Sequence, residues 1–140
     1  MEAWVFYALL SAFFAALTAI FSKAGLKDIN PDLATAIRTA IILCITWVIV
    51  FFRQKHVNLA AISKNTWMFL ILSGFATGLS WLFYFRALQL GKVSQVSVID
   101  KGSIVFTILL SFLFLHETIS TRVLVGAGLI LAGMLILVWK

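Results

Sequence analysis

Residues 81–139 read WLFYFRALQLGKVSQVSVIDKGSIVFTILLSFLFLHETISTRVLVGAGLILAGMLILVW, and two apolar runs within this stretch decide the fold. One extends from about 93 to 115 and the other from about 123 to 139. A helix needs about 20 apolar residues to cross roughly 30 Å of hydrocarbon, and both runs meet or approach that length. Ser120 and Thr121 stand between them as capping residues, so the second run begins a new helix instead of prolonging the first.

Three more apolar runs lie upstream, at about 4–21, 32–52 and 67–90. The first stops at Ser22-Lys23, with Gly25 suited to ending a helix. The second follows Asn30-Pro31-Asp32, where proline fits a first helical turn and aspartate complements the helix dipole. Residues 53–65 form the only loop of any length, and its Leu59-Ala60-Ala61-Ile62 is suited to resting on the membrane interface. Trp4, Trp67 and Trp139 fall at expected helix ends, where an indole sits well between headgroups and acyl chains. Open sheet is excluded because unpaired backbone groups in hydrocarbon cost several kcal/mol each, and the alternation of a barrel is missing. The expected fold is all-α, a single polytopic domain over residues 1–140 with five transmembrane helices.

Composition agrees. The 140 residues are 63% hydrophobic and 11% charged, against about 25% charged in a soluble domain. A soluble fold of this size hides only roughly two thirds of its surface, which would leave much Phe, Leu and Ile in water. The formal charge of +6 comes from Lys and Arg scattered near helix ends, not from a basic stripe, so nucleic acid is not an expected partner. Cys44 stands alone in an apolar run, which excludes an intrachain disulfide or a CxxC metal site. The opening MEAWVFY carries an acid where a secretory signal carries positive charge, so the first run is read as a retained helix.

Five spans put the two termini on opposite sides. Arg53, Lys55, Lys64 and Arg122 then face Lys23, Lys27, Lys92 and Lys140, a four-to-four tally that leaves the positive-inside rule nothing to act on. Insertion in both orientations with antiparallel pairing of protomers is one consequence; a single fixed orientation is the other. Helix association in lipid depends on close packing, so small residues mark candidate contacts. Gly74 and Gly78 form a GxxxG step in the third span, and Gly126, Gly128 and Gly133 crowd the fifth. Packing within the chain and packing between subunits both remain open for them.

Arg or Lys at a helix centre costs about 2.5–3.5 kcal/mol, roughly the benefit of six apolar residues. Arg38, Arg86, Asp100 and Lys101 therefore need partners, water or a task. At 1.5 Å rise per residue, Arg38, Arg86 and Asp100 approach the same membrane face, roughly 6–10 Å below it. Arg86 and Asp100 lie on consecutive spans and are placed to pair. The functional reading is a polar chamber that contacts a solute or couples to a proton, with Trp81 and Tyr84 just before Arg86 as its aromatic walls. The plainer reading has Arg38 and Lys101 snorkelling to headgroups and Arg86 with Asp100 as a structural ion pair. His116-Glu117-Thr118-Ile119-Ser120 lacks the second histidine of HExxH, and His56 stands apart, so no metal is expected. Glu117 is read as an acid that supports the start of the fifth helix. No nucleophile–base pair or phosphate-cradling loop is present, so neither catalysis nor a cofactor is expected.

The stretch quoted at the outset resembles the C-terminal part of an EamA-type domain of the drug/metabolite transporter superfamily. Tyr84-x-x-Ala87-Leu88, Glu117 after the fourth span, and Gly126 followed seven residues later by Gly133 carry the likeness. The first half fits more loosely, through Lys23-Ala24-Gly25 and Arg38. Larger members of the superfamily hold two five-helix repeats in opposite orientation. This chain is similar to the short bacterial and archaeal members with one, which implies an antiparallel homodimer in the prokaryotic inner membrane. The fifth span also resembles the last helix of small multidrug resistance proteins, where subunits meet. Where many EamA domains carry a proline early in the fourth span, this chain has Ile99-Asp100-Lys101-Gly102. The acid that small multidrug proteins carry in mid-helix one is missing too. The resemblance thus implies a secondary transporter of a small metabolite, neutral, zwitterionic or anionic, working by alternating access. A non-transporting scaffold or regulatory subunit, or a lipid-carrier flippase subunit, are the alternatives.

Overall fold

The computed structural model describes residues 3–53 and 59–139 and is helical, with no strand among the described residues. Helix α1 spans Ala3–Gly25, α2 Pro31–Arg53, α3 Lys64–Leu90, α4 Val93–Asp100, α5 Ser103–Leu115 and α6 Thr121–Val138, with a 3₁₀ turn at Leu59–Ala61. Helices α1, α2 and α3, together with the continuous stretch Val93–Leu115, are each long and apolar enough to cross a membrane; Thr121–Leu137 is a shorter apolar helix. Glu2, Lys55, His56 and Lys140 lie outside the described residues. The chain divides into two compact units, Met1–Leu90 and Gly91–Lys140.

In the first unit α1 and α2 both pack on α3. The Asn30-Pro31-Asp32 turn starts α2 as its chemistry demands: the Asn30 side-chain oxygen accepts the Asp32 N–H at 2.8 Å, and Pro31 occupies the first turn, where a missing N–H costs nothing. Helix α3 starts three residues earlier than its apolar run, because the Ser63 hydroxyl accepts the Thr66 N–H at 3.1 Å and draws polar Lys64 and Asn65 into the first turn. Gly25 closes α1 without adopting the left-handed conformation.

Burial is confined to one end of this unit. Ala19, Ser22 and Leu26 from the end of α1, Pro31 and Thr35 from the start of α2, and Phe85 and Leu88 from the end of α3 are its buried residues, the last two at 1% and 0% exposure. The Lys23 ammonium reaches across and donates to the Leu88 carbonyl at 2.5 Å and the Gln89 carbonyl at 3.4 Å, which satisfies orphan carbonyls and places a cation at the negative end of α3. Towards the other end, residues such as Phe6, Phe13, Phe51 and Phe69 are exposed, as lipid-facing side chains are.

In the second unit α4 packs on α6. The fourth span, Val93–Leu115, is interrupted within its length. It breaks at Lys101-Gly102, where the N–H groups of Lys101 and Gly102 bond to Val98 and Ile99 in tight i−3 turns. A β-carbon on Gly102 would lie 2.9 Å from the Met134 sulphur on α6, so glycine at this step permits the close approach. Helix α5 ends at His116, whose φ of 52° is left-handed and whose N–H caps the Ser111 carbonyl. Glu117 turns back to this helix end and accepts the Ser111 hydroxyl, in place of the expected support for the next helix. Ser120 starts α6, its side chain accepting the Val123 N–H.

Candidate functional site

Arg38 lies seven residues into α2, about 10 Å from the helix start at 1.5 Å per residue. Its guanidinium carbon stands 4.5 Å from the centroid of the Phe85 ring and 5.5 Å from that of Trp81. Those two residues are one turn apart on α3 and so share a face. Counted from the end of α3 they lie about 8 and 14 Å deep, which brackets Arg38. The charge is therefore held at its own depth on an aromatic ledge and does not run along α2 towards the headgroups. Cation–π attraction stabilises a desolvated guanidinium by about 2 kcal/mol, which offsets much of its cost in apolar surroundings. One guanidinium nitrogen, Nη1, is buried and has no hydrogen-bond partner among the described residues. A buried donor left in that state costs about 1–3 kcal/mol.

Beside this ledge is a cavity of about 410 Å³. Thr18, Phe21, Ser22 and Gly25 of α1 form one side, Leu26 and Ile29 the connecting turn, Ala34, Ile37 and Arg38 of α2 the other side, and Phe85 the α3 wall. Its lining is apolar apart from the Thr18 and Ser22 hydroxyls and the Arg38 charge. Thr35 and Thr39, on α2 next to it, donate their hydroxyls to the carbonyls of Pro31 and Thr35, each at 2.8 Å.

The residues expected to form a chamber belong in part to the first unit and in part to the second. Trp81 joins Arg38, and half-buried Tyr84 packs edge-on against Phe85 with ring centroids 5.8 Å apart. Trp81 thus serves Arg38 rather than Arg86, which is exposed. In the second unit Asp100 and Lys101 are exposed neighbours paired at 3.5 Å, at the break of the fourth span. Phe85, the closest partner of Arg38, escapes a reading of the sequence because phenylalanine in a membrane span ordinarily faces lipid. The hydroxyls of Thr18 and Ser22 escape it too, since neither is costly enough in a helix to stand out.

The glycines singled out for packing are all open. A β-carbon at Gly74, Gly78, Gly126, Gly128 or Gly133 meets no atom of its own unit within 4 Å. Gly74 and Gly78 instead floor a shallow hollow of about 440 Å³ walled by Ile71, Phe75, Leu79 and Leu82. Cys44 is exposed on α2, and no three of His, Cys, Asp and Glu converge among the described residues.

Long apolar helices and a costly arginine housed beside a cavity agree with a sequence match to the EamA-like transporter family over residues 2–139. The chain belongs to the EamA-like transporter family. A relative from Sinorhizobium sp, named as an uncharacterized transporter in the cobO 3' region, is 48% identical over 136 residues, covering 97% of this chain and 96% of the relative. No solved structure matches the chain. As an EamA-like protein it is an integral, multi-pass membrane protein in the general class of transporters, and its bacterial relative fits the plasma membrane. The family implies a small-molecule substrate and a bilayer setting, and points to a transporter rather than an enzyme.

Proposed function

We propose that this EamA-like protein is a secondary transporter that moves a small metabolite by alternating access as an antiparallel homodimer. The observation that carries the reading is Arg38: a cation set about 10 Å into a span, stacked on Phe85 and Trp81, and lining a cavity. Intramembrane charge so costly to insert is retained where a solute or ion pathway uses it. Tyr84 and Arg86 extend this site along α3. Asp100 and Lys101, at the interrupted fourth span, are the coupling groups, since broken helices in transporters gather ion and substrate contacts.

Dimerisation is supported by the glycines that nothing in their own unit covers, because small residues let helices of two protomers approach closely in lipid. The even split of basic residues between the two sides supports insertion in both orientations.

Purified protein in liposomes should give saturable solute flux with no second protein present. Substituting Arg38 and Asp100 separately should abolish it at normal membrane levels, and unchanged flux would remove those residues from the mechanism. Reporter tags fused after Lys140 should appear on both sides of the membrane; appearance on one side alone would end the dual-topology part of the proposal.

A further inference from the structure

From the Arg38 cavity we infer that the cargo is a small monocarboxylate whose remaining body is apolar. The inference rests on the proposal that this cavity receives the solute.

Arg38 is the charged group in the lining, and no carboxylate is among the described residues that form it. The missing counter-charge is met by an oxyanion, which accepts hydrogen bonds from the lining guanidinium. A guanidinium whose face is occupied by aromatic rings still presents its donors in plane, the geometry that a planar carboxylate meets with two parallel hydrogen bonds. Among the described residues Ser22 and Thr18 supply the hydroxyls of the lining, too few donors for a dianionic phosphate, whose second charge would stay uncompensated. Phe21, Leu26, Ile29 and Ile37 then require the rest of the solute to be apolar. A cavity of about 410 Å³ is at the small end for ligand sites, which suits a body of a few carbons or one ring. An oxyanion on an apolar body is also the chemistry of an anionic lipid, and the observations favour the soluble solute because the volume does not hold an acyl chain pair.

The test is calorimetric titration of the purified full chain in neutral detergent with cyclohexanecarboxylate, cyclohexanecarboxamide and cyclohexylmethylamine. The carboxylate should bind saturably and at least tenfold more tightly than the amide, with no binding of the amine. Arg38→Lys, which keeps the charge and loses the planar fork, should weaken the carboxylate at least tenfold, and Arg38→Gln should abolish it. If either variant misfolds, the three probes on the wild-type chain decide alone. Equal affinity for acid and amide, preference for the amine, or no binding of the carboxylate would overturn the inference. Adding phosphatidylglycerol to the micelles should leave the affinity within twofold; progressive loss would assign the site to a lipid headgroup and overturn the soluble cargo. Carboxylate binding without flux in liposomes would sink the transport proposal and leave this site standing, whereas flux of an uncharged or cationic solute with no carboxylate binding would do the reverse.

Discussion

Replacing Gly102 with alanine tests the break in the fourth span and its seat on α6. The added β-carbon would lie 2.9 Å from the Met134 sulphur, 3.3 Å from its terminal methyl and 2.9 Å from the Ile99 carbonyl oxygen. Ordinary contact between such atoms begins near about 3.5 Å, so the sulphur and the carbonyl oxygen are too close by about 0.6 Å and the methyl by about 0.2 Å. The half-buried methionine can move only by giving up contacts of its own, and the carbonyl belongs to the backbone of the tight turn, so both contribute to the cost. Overpacking of this kind costs about 1–3 kcal/mol, and alanine regains about 1 kcal/mol of helix propensity, so Gly102→Ala should lose about 1 kcal/mol. The more discriminating quantity is the coupling with Met134→Ala, which deletes both contacting atoms. In a double-mutant cycle read by denaturant unfolding in micelles, the pair should be about 1 kcal/mol more stable than the two single effects predict. Additivity within about 0.5 kcal/mol would refute the contact between this turn and α6.

Arg38→Met should leave stability within about 1 kcal/mol of wild type, because the lost cation–π contacts are balanced by removal of an unsatisfied donor and a desolvated charge; loss of more than 2 kcal/mol in the same unfolding assay would show that the site is structural, the limit being roughly the largest single cation–π term. Leu88→Ala, at the packed end, should cost about 2 kcal/mol through the cavity it leaves, while Leu113→Ala on the exposed face of α5 should cost little, and equal effects would contradict the uneven burial. Gly78→Leu should leave the protomer folded but lower the content of the proposed dimer on crosslinking, since a β-carbon there meets nothing in its own unit within 4 Å and the hollow around it is open. Lys23→Met removes charged hydrogen bonds to the end of α3 and should cost about 1.5–3 kcal/mol, with amide exchange rising first at the end of α3.

Much of the helical plan is legible in the amino acids because lipid makes hydropathy almost sufficient. Asn30-Pro31-Asp32 and Ser120 announce helix starts by cap chemistry that operates in any solvent, and the observed caps use those side chains. The start of α3 is misjudged by three residues because Lys64 and Asn65 are polar, and hydropathy stops where the membrane does while the helix does not. The break at Lys101-Gly102 is invisible to an apolar pattern, since a single tight turn barely shifts a 3.6-residue period. At the candidate site, insertion cost draws attention to Arg38, as it does to Arg86, Asp100 and Lys101. Its aromatic partners are harder to read: Trp81 stands near Arg86 in sequence but stacks on Arg38 across the helix pair, and Phe85 carries no polar atom to draw notice. Tertiary proximity between α2 and α3 supplies that information, and local pattern does not contain it.

Gathering the buried residues of the first unit at one end has a mechanical consequence. That end, with Phe85, Leu88 and the Lys23 clasp, would act as the pivot of any tilt among the long unburied arms of α1, α2 and α3. A tilt of about 10° at the pivot sweeps a tip about 30 Å away through about 5 Å, one helical turn's worth of travel. Arg38 and its ledge lie close to that end, so under such a tilt the stacked cation would stay nearly still while the far ends moved.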